Sequence, residues 1–301
     1  MNRIQINFKG VTSALPTPFV GQGLNKKIDF ESLTRLVEFQ LKNGINGLVV
    51  NGTTAESPTL LWSEVEEIYR CVRNIAGQQV PIILGTGSNS TAHTMETTQR
   101  AEALGADAAL VVVPYYNKPP QRGLEQHFTE VARSTRLPLI LYNVPSRTIT
   151  SMDLDTILTL STVKNIFAIK EASGDLLFDQ KLKAQLAPEF TLLTGDDLSY
   201  LPFLKLGGSG IISVMSNAIT AACAKWTKLA QAEKWREAEE DFEKHTELIS
   251  LMYAEANPIP LKWMLYKMGL FKSPEMRLPL TCLNSKFYEP ITIELKKLEL
   301  I

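Results

Sequence analysis

The stretch "IFAIKEASGD", residues 166–175, opens with four apolar residues, Ile166 to Ile169, and then places Lys170 and Glu171 directly behind them. The apolar run reads as a strand covered on both faces. A lysine is almost never buried without a partner. Taken alone, these ten residues fit a lysine that snorkels to solvent or pairs with Glu171. The surrounding chain decides between that reading and chemistry.

Runs of the same character recur along the chain. They are "VTSAL" from Val11, "GLVVNGT" from Gly47, "VPIILGTG" from Val80 and "AALVVVPYY" from Ala108. "LPLILYNVP" from Leu137, "FTLLTGDD" from Phe190 and "GIISVMSN" from Gly210 bring the number to eight. Amphipathic helical segments lie between most of them. After Ser63 the apolar positions Val65, Ile68, Tyr69, Val72, Ile75 and Ala76 fall at helical spacing. Ser63 and Glu66 have the spacing of a capping box at its start. From Asp29, the residues Phe30, Leu33, Val37 and Leu41 repeat the pattern. Strand–helix alternation repeated eight times predicts an α/β fold, a TIM (β/α)8 barrel. A doubly wound sheet is the alternative on pattern alone. After about Ala221 the alternation stops and the sequence is helical. The expected organisation is a catalytic barrel over residues 1–232 and a C-terminal helical domain over 233–301, whose charge runs form a solvated face.

The chain has 301 residues, 45% of them hydrophobic and 21% charged, enough to bury a large core. A formal net charge of −1 provides no basic field for nucleic acid or an anionic membrane. Cys71, Cys223 and Cys282 are far apart, as are His93, His127 and His245, so no transition-metal spacing exists and a reducing compartment is expected. "MNRIQINFKG" lacks an apolar signal core. The charge-free stretch between Lys205 and Lys225 contains Gly207, Gly208, Gly210, Ser213, Ser216 and Asn217, and reads as a strand feeding a helix rather than a membrane span.

In such a barrel the chemistry gathers at the C-terminal strand ends. If Lys170 points inward, alternation turns Ala168 and Ile166 the same way and sends Ile169, Phe167 and the Glu171 carboxylate toward the helices, where no partner for Glu171 is evident. Apolar neighbours disfavour the ammonium, and a neutral amine attacks carbonyl carbon to give a Schiff base. Dehydrating the carbinolamine needs a proton shuttle, and Tyr142, one strand earlier, is the candidate; a core tyrosine with a satisfied hydroxyl is the plain alternative. "GTGSNS" from Gly85 has Ser90 where a dinucleotide loop needs its third glycine. The adjacent carboxylates of "GDD", 195–197, point opposite ways on a strand and make a poor metal site.

Together "GTTAES", "PYYNKP", "YNVPSRT", "IKEASGD" and "TGDD" resemble the dihydrodipicolinate synthase family, in order and spacing over essentially the whole chain. That family lies among the class I aldolases related to N-acetylneuraminate lyase. The resemblance implies that Lys170 forms the Schiff base with pyruvate and that Tyr142 is the proton donor and acceptor. It implies a relay through Thr53 and through Tyr116 of the adjacent subunit, and pyruvate carboxylate binding by Thr54 with Thr53. It places Arg147 on the carboxylate of aspartate semialdehyde, with Gly195 and the backbone of Ile212 lining the pocket. No metal or organic cofactor is implied. The implied assembly is a homotetramer, a dimer of dimers, acting on small molecules in lysine biosynthesis in the cytoplasm, with no nucleic acid or membrane partner. A second enzyme reading is a pyruvate-dependent lyase of a 2-keto-3-deoxy sugar acid or N-acetylneuraminate; Arg147 argues against it. A catalytically silent pyruvate sensor is the reading from another class, and the Lys170–Tyr142–Thr53 set argues against that.

Two departures from the family pattern stand out. Ala55 occupies a position where glycine is usual, which would cost on the order of 1 kcal/mol if positive φ were required there. The positions matching the family's lysine-inhibition site are Ser57, Trp62, Val65, Asn89, His93 and Tyr115. An apolar Val65 and a basic His93 are poor hosts for a lysine ammonium, so weak or absent inhibition is expected.

Overall fold

The computed structural model describes residues 9–24 and 26–301. The amino-terminal stretch read above for a signal core lies mostly outside the described residues. All eight expected runs are strands: β1 (Gly10–Ala14), then, after a short pair β2 (Phe19–Val20) and β3 (Lys27–Ile28), β4 (Gly47–Val50), β5 (Ile82–Gly85), β6 (Ala108–Val112), β7 (Leu139–Asn143), β8 (Ile166–Glu171), β9 (Thr191–Thr194) and β10 (Gly210–Ser213). β1 and β4 to β10 close into a barrel. The antiparallel pair β2–β3 has two residues per strand, too few to leave a periodic signal in sequence. Nearly every barrel-strand residue is buried, as strands covered on both faces require.

The chain forms two compact units. One holds residues 81–212 and the other 11–80 with 213–301. In the first, β7 and β8 run parallel with Tyr142 opposite Lys170 and Asn143 opposite Glu171. The Asp175 that ends the opening stretch caps the next helix, Leu176–Gln185. Its Oδ1 accepts the N–H groups of Leu177 and Phe178 at 3.0 and 3.1 Å.

In the second unit, helix Phe30–Lys42 starts at Asp29, whose side chain accepts the Ser32 N–H. Helix Trp62–Ala76 starts earlier than the Ser63–Glu66 spacing implied. The Leu61 N–H donates to Glu64 at 2.9 Å, and Ser63 lies inside the helix. Arg277 explains the difference: its guanidinium fixes Glu64 with two bonds of 2.6 and 2.8 Å, while Glu66 accepts from the Trp62 indole and Arg70. The charge-free stretch becomes β10, a 3-10 turn at Met215–Asn217 and helix Thr220–Gln231. Among the described residues no helix is long and apolar enough to cross a membrane.

Candidate active site

The 81–212 unit brings Lys170 and Tyr142 together. Lys170, at the end of β8, is only 6% exposed, and its Nζ lies 4.2 Å from the centroid of the Tyr142 ring on β7. Gly195 follows β9 at the position that keeps this space open. A Cβ there would stand 2.5 Å from Lys170 Cε and 2.6 Å from Ala172 Cβ. Only glycine leaves the lysine stem its present path. Ile212, on β10, is fully buried.

Arg147 sits on a four-residue helical turn, Pro145–Thr148, and is exposed. The turn is closed by the Thr148 hydroxyl, which donates to the Val144 and Thr150 carbonyls at 3.0 and 2.7 Å. Tyr116, in the loop after β6, is 87% exposed with φ of 76°. A bulky residue held at positive φ and turned to solvent is strained, and such residues collect at functional sites. Its neighbour Asn117 ties the loop to the Asn89 carbonyl at 2.8 Å. In the same unit Tyr115 is 39% exposed, and the exposed His93 lies 3.8 Å from Glu96.

Glu171 has a partner that strand alternation could not name. Its Oε2 accepts from Asn143 Nδ2 at 2.7 Å and its Oε1 accepts the Ser173 N–H at 2.7 Å. Burial pushes its carboxyl up, and these hydrogen bonds oppose the push. Asp179, on the following helix, is also buried. Its carboxyl is pushed up to about 7, first by burial and then by the charges of Glu171, Asp175 and Asp196. In "GTGSNS" Ser90 caps the helix Thr91–Leu104, and in "GDD" Asp196 closes the turn before the helix Tyr200–Lys205. Ser90 Oγ accepts the His93 N–H, and Asp196 Oδ2 accepts the Ser199 N–H at 2.9 Å. Among the described residues no group of three or more His, Cys, Asp or Glu is placed to hold a metal.

The second unit carries the Thr53–Thr54 loop. Thr53–Ala55 is a 3-10 turn, and Thr54 is buried with its Oγ1 accepting from Asn257 Nδ2 at 3.0 Å. The positive φ falls on Glu56, at 58°, so Ala55 carries no such strain. Glu56 is fixed twice: Lys262 Nζ lies 2.7 Å from Oε1, both side chains fully buried, and the Arg277 N–H donates to Oε2 at 2.9 Å. Burial depresses Lys262 to about 8 against the pull of Glu56. Sequence reasoning had Glu56 in the "GTTAES" loop without a role, and missed Asn257, Lys262 and Arg277. The signal was present in "NPIPLKWML" from Asn257, a lysine inside an apolar run, the same pattern that singled out Lys170. In this unit Ser57 opens a second 3-10 turn, Val65 is buried in its helix, and the Trp62 indole donates to Glu66.

The dihydrodipicolinate synthetase family pattern matches residues 7–298. The chain belongs to that family. It is 49% identical over 291 residues to the 4-hydroxy-tetrahydrodipicolinate synthase of Bdellovibrio bacteriovorus, covering 97% of this chain and 98% of that one. A Coxiella burnetii enzyme of the same name is 40% identical over 96% of this chain and 98% of its own length. Among solved structures, the dihydrodipicolinate synthase of Thermotoga maritima aligns with a TM-score of 0.95 at 36% identity, covering 98% of this chain and 100% of that one. The chloride-inhibited synthase of Acinetobacter baumannii complexed with pyruvate aligns at 0.94 and 39% identity, covering 97% and 99%. Membership in the dihydrodipicolinate synthetase family accords with a buried lysine at the end of the sixth barrel strand.

Proposed function

We propose that this lyase condenses pyruvate with aspartate 4-semialdehyde to give 4-hydroxy-tetrahydrodipicolinate, in the diaminopimelate route to lysine, through a Schiff base on Lys170. The observation that carries the reading is Lys170 itself, sealed from solvent against the Tyr142 ring and beside the bare backbone of Gly195. The relative solved with pyruvate supports the first substrate.

In this reading the Lys170 amine adds to the pyruvate ketone carbon. Tyr142 delivers a proton to the departing hydroxyl, and water leaves as the imine forms. Loss of a methyl proton gives the enamine, whose carbon attacks the aldehyde. The semialdehyde's own amine then displaces Lys170, closing the ring and freeing the enzyme. Thr53 and Tyr116 of the adjacent subunit relay protons to Tyr142, and Ile212 lines the pocket. Thr54 binds the pyruvate carboxylate. Because its Oγ1 accepts from Asn257, its hydroxyl hydrogen is available to an anion. Arg147 takes the semialdehyde carboxylate in a charge-assisted pair. No step calls for a metal or organic cofactor.

The exposed, strained Tyr116 supports a homotetramer in which this side chain serves a neighbour's site. We place the enzyme in the cytoplasm, the catalytic barrel at residues 1–232 and the helical domain at 233–301. The comparisons favour the synthase over a sugar-acid or N-acetylneuraminate lyase, as Arg147 does. Lysine inhibits weakly or not at all, since buried Val65 offers an ammonium nothing; half-inhibition at sub-millimolar lysine would contradict this.

Arg147→Ala tests the assignment. The semialdehyde KM should rise about 10- to 100-fold, the worth of a charged hydrogen bond, while pyruvate trapping on Lys170 stays unchanged. Equal losses in both would show that Arg147 serves the fold. Turnover with aspartate semialdehyde, and none with sugar acids, is the accompanying assay.

A further inference from the structure

Two adjacent strand ends carry the Schiff-base lysine and its tyrosine, and the next residue on each is polar and buried. Tyr142 pairs in register with Lys170, and the next pair is Asn143 with Glu171. Asn143 is fully buried and Glu171 is 1% exposed. The Asn143 carboxamide is used at both ends. Its Nδ2 donates to Glu171 Oε2 at 2.7 Å and approaches Ser151 Oγ at 3.3 Å, while its Oδ1 accepts the Met152 N–H at 3.0 Å. Backbone bonds run alongside, from the Ala172 N–H to the Asn143 carbonyl at 2.9 Å and from the Gly195 N–H to the Glu171 carbonyl at 2.6 Å.

One side chain therefore joins three parts of the site: the strand end of Tyr142, the strand end of Lys170, and the return of the 144–152 loop that carries Arg147. The chain of bonds has a fixed polarity, from the Met152 N–H into the amide oxygen, from the amide N–H into the carboxylate, and from the Ser173 N–H into its second oxygen. Stability alone gives poor reason for it. Burying a carboxylate is costly, and an apolar pair of similar volume does as well or better. A polar clamp supplies direction and register.

We propose that Asn143 and Glu171 are positioning residues: their side-chain bond holds Lys170 and Tyr142 in register and couples that pair to the loop presenting Arg147. This rests on the Schiff-base reading above. It also answers what Glu171 does beside the nucleophile.

Exchanging the two polarities tests the clamp. Glu171→Gln sets an amide N–H₂ against either the Asn143 N–H₂ or the Ser173 N–H, and Asn143→Asp sets carboxylate against carboxylate. Each single change should lower kcat/KM about 10- to 100-fold, as buried groups facing their own kind do, and should raise the semialdehyde KM as the Arg147 loop loosens. In the double variant the carboxylate now at position 143 accepts from the Met152 N–H and from the amide now at position 171. The oxygen of that amide accepts the Ser173 N–H, so all three bonds of the chain from Met152 to Ser173 are restored. The double variant should recover to within about 5-fold of the parent enzyme, a large coupling in the double-mutant cycle. A double variant no better than the worse single, or singles with parental kinetics, would overturn the clamp. A role in stability alone would lower Tm in the singles without raising the semialdehyde KM. If the singles do not fold, Ser151→Ala is the milder probe. It removes one bond to the same carboxamide and should raise the semialdehyde KM about 2- to 5-fold, with pyruvate trapping unchanged; an unaltered KM would overturn the proposal. The parent enzyme's trapping on Lys170 separates the two claims. Its absence ends the Schiff-base reading, and its presence with a failed exchange ends only the clamp.

Discussion

Asp179 is a buried carboxyl packed near Glu171, and its protonation has a direction that can be measured. Burial and the neighbouring Glu171, Asp175 and Asp196 charges raise it from 3.8 to about 7. Between those values the native state holds a proton that the unfolded chain has released. Stability from this group is full below about 3.8 and is lost as pH rises toward 7. Asp179→Asn keeps the shape and removes the titration. It should raise Tm at about pH 8 and change it little at about pH 4, measured by thermal denaturation at both. A gain equal at both pH values would contradict the assignment. At this scale the sequence reveals a residue only when its surroundings along the chain are anomalous. Lys170 was legible because a charge interrupts an apolar run. Glu171 was not, because its partner Asn143 lies 28 residues away on the neighbouring strand.

The Thr53–Glu56 turn shows the same limit between elements. Its strained corner is Glu56, and what holds that corner comes from more than 200 residues along the chain, through Lys262 and Arg277. Local spacing could place Thr53 and Thr54 on a loop after β4 but could not supply the distant bonds. Lys262→Met leaves the Glu56 carboxylate buried without its ammonium, and should cost about 3–5 kcal/mol of stability by denaturant unfolding. It should also raise the pyruvate KM, because the loop bearing Thr54 loses its anchor. Unchanged stability would show that Arg277 alone suffices. The misplaced start of helix Trp62–Ala76 has the same origin, since Arg277 selects Glu64 over Glu66 as the first-turn acceptor.

Over the whole molecule, the barrel was legible because eight short, apolar runs, buried on both faces, alternate with amphipathic helical segments; it is the repetition that separates them from the equally apolar run of helix Ile259–Lys267. The β2–β3 pair was not, being too short for any period. In the proposed reaction the barrel holds Lys170 as a shielded nucleophile beside Tyr142. Incubation with pyruvate and borohydride, followed by intact mass and peptide mapping, tests it most directly. One reduced pyruvate adduct per chain is expected, on the peptide bearing Lys170. No adduct, or an adduct on another lysine, would contradict it.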